Sequence, residues 1–296
     1  MELTVNHVEA DLGTWTVARW SPARSDVLHG LVESLFYWDG LPALPRERTF
    51  PNARASLYVQ LDDAYRPGEG RSTDPYPALC VDGLWTEPLV VEAPRRRARV
   101  IGIKLTAIGA VKILDTGLGD LAGSTHELES VVGRTARELG TCAAAARNAR
   151  SGVGTTVDWL RERVARSRML PPDVAWITGQ IELANGAVAT RTMMESVTAS
   201  PSRLSGAFRD HFGLSPKRFA RIVRFRRALE LMTAGHGTLA DVAAQAGFYD
   251  QAHFNAEFKQ HAGMTPSAFI AAQRYPGSAS LAEGDADDFS NTAPPP

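Results

Sequence analysis

Residues 238–261 read TLADVAAQAGFYDQAHFNAEFKQH. A short helix pattern opens it, with Leu239, Val242, Ala243 and Ala246 on one apolar side. The chain breaks at Gly247-Phe248-Tyr249-Asp250, where Gly247 sits at a sharp turn with little room for a side chain. A second helix pattern follows. Phe254 and Phe258, four residues apart, face inward and leave Gln251, Ala252, His253, Asn255 and Lys259 facing out. Gln and Asn can bond bidentately to adenine in the major groove, and His and Lys can donate to guanine or phosphate. This is the layout of a helix-turn-helix with a recognition helix. An ordinary helical hairpin with a solvated polar face gives the same pattern, so the segment alone does not decide.

A second copy upstream changes the weighing. Residues 190–213 read TRTMMESVTASPSRLSGAFRDHFG. Met193, Met194 and Val197 form a small apolar side, and Thr198-Ala199-Ser200 supplies the turn. Ser200 is placed to cap a helix whose first position is Pro201. Leu204 and Phe208 repeat the inward spacing of Phe254 and Phe258, and the endings FRDHFGLSP (208–216) and FKQHAGMTP (258–266) correspond. Two similar units in one domain explain this better than a long repeat array. Between them SPKRFARIVRFRRALELM (215–232) keeps an apolar stripe of Phe219, Ile222, Val223, Leu229 and Met232. Its other faces carry Lys217, Arg218, Arg221, Arg224, Arg226 and Arg227. Such a helix spans about 25 Å. It can hold two recognition helices for successive major grooves about 34 Å apart, with basic residues on the phosphates.

Residues 178–275 resemble the DNA-binding domain of AraC/XylS-type transcription regulators of bacteria. The resemblance rests on LSPKRF (214–219), RFRRALELM (224–232), LADVAAQAGFYDQAHFNAEFK (239–259) and GMTPSAF (263–269). It implies major-groove binding of double-stranded DNA and control of transcription initiation, with RNA polymerase as a partner. Carried over to this chain, it assigns Ser202, Ser205 and Gly206 of the first recognition helix to the bases, with Arg203 and Arg209 nearer the backbone. In the second it assigns Gln251, Ala252, His253, Asn255 and Ala256 to the bases. Lys217, Arg218, Arg221 and Lys259 are the remaining backbone candidates. The family often has Arg where this chain has Gly206 and Ala256, so two guanine forks are missing. Each good fork is worth about 1–3 kcal/mol. Gly206 also costs about 1 kcal/mol of helix stability relative to Ala. The second recognition helix is therefore the expected specificity element, and the first reads more by shape and backbone.

Composition fits two domains in 296 residues. The net charge of −1 hides an uneven distribution. Residues 178–275 carry 11 Lys and Arg against 7 Asp and Glu, while 276–296 carries four acids and no base. The positive charge lies where DNA would be. The two cysteines, Cys80 and Cys142, can pair only with each other, and a reducing, cytoplasmic setting is the simpler reading. The N-terminus shows no secretory signal pattern and no apolar run long enough to span a bilayer, so no membrane is expected.

The expected class is α+β: a β-rich N-terminal domain with trailing helices over 1–170, a linker at 171–177, an all-α double helix-turn-helix domain over 178–275, and a disordered acidic tail over 276–296. Strands are expected at 14–20, 32–38, 55–61, 79–82, 88–92 and 99–105, with loops at 41–51 and 65–77. Helices are expected at 107–116, 126–149 and 155–167. IGIKLTAIGAVKIL (101–114) resembles a strand-to-helix junction in one group of uncharacterised regulator N-terminal domains. In AraC-type regulators this region senses a small molecule, dimerises, or both, so a small-molecule effector and a homodimer are the implied partners. Trp15, Trp20, Trp38, Trp85, Tyr37 and Tyr58 are pocket candidates, though such residues are more often core. Arg95-Arg96-Arg97 reads as a solvated turn before it reads as an anion site.

An enzymatic first domain finds no support. Neither Cys has a neighbouring His, a basic flank or a CxxC partner. His7, His29 and His126 lack metal-ligand spacing. There is no P-loop, GxGxxG or GxSxG. No catalytic residue, metal or cofactor is assigned. A constitutive architectural DNA binder remains open beside the regulator, as does, more remotely, an enzyme fused to a DNA-binding domain.

Overall fold

The computed structural model describes residues 2–10, 13–42, 44–68, 72–197, 199–235 and 237–273. The expected disordered tail, and Thr198 of the first turn, lie outside the described residues. The strands are β1 (Glu2–Ala10), β2 (Gly13–Ser21), β3 (Val32–Gly40), β4 (Arg46–Thr49), β5 (Arg54–Gln60), β6 (Arg66–Pro67), β7 (Leu79–Asp82), β8 (Leu89–Glu92), β9 (Ala98–Thr106) and β10 (Thr125–Glu127). The helices are α1 (Ala107–Leu114), α2 (Leu128–Val132), α3 (Thr135–Ala144), α4 (Ala149–Arg166), α5 (Pro172–Leu183), α6 (Thr190–Glu195), α7 (Pro201–Phe212), α8 (Pro216–Thr233), α9 (Leu239–Gln245), α10 (Gln251–Ala262) and α11 (Pro266–Gln273). The chain is thus α+β, with a β-rich first part and a helical second part.

Its contacts divide it into two units. One comprises the chain up to Pro45, Arg54–Gly83 and Glu92–Leu170; the other comprises Arg46–Ala53, Leu84–Val91 and the chain from Pro171 onward.

The first unit holds a seven-stranded sheet in the order β1-β2-β3-β9-β5-β7-β10. The central strands bury Leu35 and Tyr37, Leu57 and Val59, and Ile101, Ile103 and Leu105. These β-branched and aromatic runs made the strands visible in the sequence. The strands that sequence reasoning missed, β1 and β10, lie at the two edges of the sheet. An edge strand pairs on one side only and tolerates polar residues, so its pattern is weak. The expected loops 41–51 and 65–77 also contain the short β4 and β6.

The expected helix over 126–149 does not exist as one element. It is the edge strand β10, then α2, α3 and the start of α4. Gly133 ends α2 at φ +67°, a left-handed conformation that costs Gly little. Asn148 starts α4 afresh, because its side chain accepts from the Ser151 backbone N–H in a capping box. The helix expected at 155–167 therefore begins earlier, at Ala149. α4 packs against β2, β3 and α1 and buries Val153, Val157 and Leu160.

Aromatic residues of this unit are largely core: Trp20 and Tyr37 are buried, and Trp15, Trp38 and Tyr58 are half-buried. Trp85 falls in the second unit. Arg95 and Arg96 are exposed at a bend, and Arg97 Nε donates to Asp39 Oδ1 at 2.7 Å. Both cysteines are free thiols; burial pushes the Cys80 thiol well above its usual range, away from use as a nucleophile near neutrality.

The second unit is built on α8, about 27 Å long. Residues 172–177, expected as linker, are the first half of α5, with Pro172 at the first helical position, where its missing N–H costs nothing. Around one end of α8 the rings of Phe208, Phe212 and Phe219 pack together. Around the other end Phe225, Phe254, Phe258 and Phe269 form a core with Val242, Ala243 and Phe248. That core also takes Phe50, whose ring lies edge-on to Phe269 at 5.7 Å. Phe50 follows β4, which lies beside β8. By its contacts the unit also takes in Arg46–Ala53 and Leu84–Val91 beside the helices.

Asp82 gives the first unit one component of its response to pH. Burial pushes the Asp82 carboxyl up to about 6, against the pull of the Thr125 hydroxyl that donates to it. A raised pKa contributes stability that is complete below the unfolded value near 3.8 and is lost as pH rises through about 6. Asp82→Asn keeps an acceptor for Thr125 and removes the titration. The variant should gain on the order of 2–3 kcal/mol relative to the parent between pH 4 and pH 7. Denaturant unfolding at both pH values measures this, and parallel pH profiles would contradict it.

Candidate nucleic-acid interface

Four helices of the candidate interface, α7, α8, α9 and α10, start on a side-chain cap, whereas α6 does not. Ser200, Ser215, Thr238 and Asp250 accept from the backbone N–H of Arg203, Arg218, Asp241 and His253 respectively. Pro201 and Pro216 occupy first helical positions. α9 carries a full capping box between Thr238 and Asp241. These local rules fix where each helix begins and so which residues its first turn presents.

In the second helix-turn-helix, the turn between α9 and α10 is held tightly. Gly247 has φ +78°, and a Cβ there would meet the Ala187 Cβ at 2.5 Å. Phe248 is buried against Phe254, with the Arg224 guanidinium 4.8 Å from its ring centroid. α10 then divides cleanly. Phe254, Glu257 and Phe258 are buried, whereas Gln251, Ala252, Asn255, Ala256 and Lys259 are exposed. His253 is half-buried. Its Nδ1 lies 3.4 Å from the Tyr249 backbone nitrogen and its Nε2 lies 3.4 Å from Glu257 Oε1. The ring nitrogens expected to face bases are thus turned to the protein.

The first helix-turn-helix is looser. Leu204 and Phe208 are buried as expected, but α6 buries no residue, so Met193, Met194 and Val197 pack only partly. On α7, Ser202, Arg203 and Arg209 are exposed, and Ser205 and Gly206 are half-buried. Nothing lies within 4 Å of a Cβ built on Gly206, so the surface there is open. A shallow apolar groove lined by Trp176, Leu183, Val188 and Met193 runs between α5 and α6.

The basic residues of α8 separate into two groups. Lys217 and Arg218 are exposed, with Arg218 Nη2 donating to Thr86 Oγ1 at 2.9 Å. Arg221, expected on the DNA backbone, instead donates to Glu257 Oε1 and to Gln260 Oε1, each at 2.6 Å. Arg224 donates to Glu257 Oε2 at 2.8 Å. Burial works to raise the Glu257 carboxyl, but the hydrogen bonds and charges of Arg224 and Arg221 outweigh it and hold the group below the usual carboxylate range. Sequence reasoning missed Glu257. Its three-residue offset from Phe254, opposite Arg221 and Arg224 at their own three-residue spacing, was the available signal. Tyr249, 92% exposed at the foot of α10, was also passed over.

Among the described residues no group of His, Cys, Asp and Glu could hold a metal ion, and no helix is long and apolar enough to cross a membrane.

Residues 193–272 match the model of a helix-turn-helix domain family. The arabinose operon regulatory protein of Escherichia coli is 34% identical over 89 residues, which are 30% of this chain and 30% of that protein. The HTH-type transcriptional activator RhaR of Pectobacterium atrosepticum is 36% identical over 70 residues, 24% of this chain and 25% of its own length. The matched part thus spans about a third or less of these relatives. ToxT from Vibrio cholerae superposes loosely over 92% of this chain and 98% of its own, with 10% identity and a TM-score of 0.42.

The turn gives a direct test. Gly247→Ala should cost roughly 1–3 kcal/mol of stability, from a strained φ and the clash with Ala187. Thermal or denaturant unfolding reads this. An Ala variant as stable as the parent would show that the turn is not held as described.

Proposed function

We propose, from the premise that residues 193–272 form a helix-turn-helix domain of the AraC type, that this chain is a sequence-specific DNA-binding regulator of transcription initiation. The observation that carries the reading is the division of α10. A capped helix packs Phe254 and Phe258 inward and leaves Gln251, Asn255 and Lys259 exposed in one run. Gln and Asn are the side chains that read adenine in the major groove, and Lys supplies phosphate contacts. α10 is the main reading element, with Ala252 and Ala256 offering apolar contact to thymine methyls. α7 contributes Ser202, Ser205 and the open surface at Gly206, with Arg203 and Arg209 on the backbone. Lys217 and Arg218 extend the backbone contacts along α8.

The partners that follow are double-stranded DNA and RNA polymerase, in the cytoplasm. The first unit modulates binding, through a small-molecule effector or by forming a homodimer. One chain already supplies two recognition helices, so dimerisation is not required for a bipartite site.

Selection of binding sites from random duplex DNA by the full-length protein, at one near-physiological salt concentration, tests this. A bipartite motif with half-sites about one turn apart is expected. Gln251→Ala and Asn255→Ala should each cost about 1–3 kcal/mol on the selected site and relax one position of the motif. Enrichment of no sequence, or motifs unaltered in both variants, would overturn the proposal.

A further inference from the structure

We propose that Glu257 is a positioning residue that sets specificity: it holds Arg221 away from the phosphate backbone, so that base contacts from α10 decide where the protein binds. The inference rests on the DNA-binding reading above and adds a role for an acid on the recognition helix itself.

An acidic residue on a helix that docks to DNA needs an explanation, because it repels phosphate. Glu257 is 8% exposed although its neighbours Asn255, Ala256 and Lys259 face solvent. Two acceptors one turn apart on α10, Glu257 Oε1 and Gln260 Oε1, take the Nε and Nη2 of a single guanidinium, that of Arg221. The second guanidinium, Arg224, closes the other carboxylate oxygen and is only 15% exposed beneath the turn. It also lies against the Phe248 ring, so it belongs to the packing of the turn. Arg221 is different, being 30% exposed. On α8 it stands four residues after Lys217 and three after Arg218, on the same side of the helix as these exposed cations. Without Glu257 it would extend their row.

His253 belongs to the same cluster. A backbone N–H at Tyr249 can only donate, so Nδ1 accepts and the ring proton sits on Nε2, facing Glu257 Oε1. Glu257 therefore meets Arg221 and Arg224 from α8 and His253 from its own helix. The groups left to read bases are those that make no such internal contact, Gln251 and Asn255 foremost.

The consequence follows from how phosphate contacts act. Each one strengthens binding to every sequence alike and adds about 0.9 to the slope of log affinity against log salt. Withholding one lowers background binding without touching base readout, which raises the ratio of specific to non-specific affinity.

The experiment is a salt titration of the full-length protein on an unrelated duplex and on the selected site. Glu257→Gln, checked for native unfolding behaviour, should bind the unrelated duplex more tightly. Its slope should steepen by about one, so that about three- to fourfold more affinity is lost between 50 and 200 mM salt. The specific-to-non-specific ratio should fall. Adding Arg221→Gln to Glu257→Gln should return the slope to that of the parent. An unchanged slope in folded Glu257→Gln would overturn the proposal. So would a steeper slope that persists in the double variant, because it would reflect only the loss of an acid. Should Glu257→Gln fail to fold, Arg221→Gln alone decides: an unchanged slope supports the clamp, and a slope shallower by about one shows that Arg221 already contacts phosphate. The titration on unrelated DNA tests the clamp even if the parent selects no site, a result that would instead overturn the regulator reading.

Discussion

Eleven of the eighteen residues of α8 are buried, from Pro216 to Met232, which is too many for a helix lying with one stripe on a core. α8 is packed on opposite sides, and both halves of the second unit are assembled on it. Phe219 completes the ring cluster of α7, and Phe225 joins that of α9, α10 and α11. Cations can then occupy only the strip that remains. This is why Arg221, Arg224 and Arg226 are half-buried or buried and bound to carboxylates, while Lys217 and Arg218 near the start of the helix are exposed. A basic helix of the same composition on the surface of a domain would have had all its charges in water.

The two helix-turn-helix units share a pattern but not a packing density. α9 buries Val242 and Ala243 under a capping box, and the following turn is pinned by Phe248. α6 buries nothing and leaves an apolar groove beside α5. A recognition helix reads bases only as sharply as its support holds it. The asymmetry in support runs parallel to the asymmetry in side chains. α10 presents Gln251 and Asn255, whereas α7 presents short hydroxyls and the bare backbone of Gly206. Both features set α10 apart: of the two exposed helices it is the better supported and the one that presents amide side chains.

Charge adds a second level of control. The chain is close to neutral, and a carboxylate offsets much of the basic character of α8. The Glu257 cluster makes Arg221 and Arg224 struts between two helices. Loss of a partner from such a buried pair is costly because the remaining charge is left in a poorly solvated site. The cluster therefore ties the angle of α10 to the integrity of α8.

Much of this was determined by the sequence alone. Helix starts at Ser200, Ser215, Thr238 and Asp250, the left-handed turn at Gly247, the inward pairs Leu204/Phe208 and Phe254/Phe258, and the central strands all follow from interactions within a few residues. Local chemistry is written locally, and the exposed face of α10 could be read directly from what remained. The tertiary structure decided the rest, because it depends on residues far apart in the chain. Nothing near Phe50 shows that it completes the core around Phe225 and Phe269, and nothing near Thr86 shows that it accepts from Arg218. The breaks at Gly133 and Asn148 were hidden under a helix-like composition. The edge strands β1 and β10 were hidden because one paired side demands little of a sequence. Above all, the role of each cation on α8 was undetermined. A guanidinium is tied into the fold when a carboxylate from another helix reaches it, and only the packing of α10 on α8 brings Glu257 there.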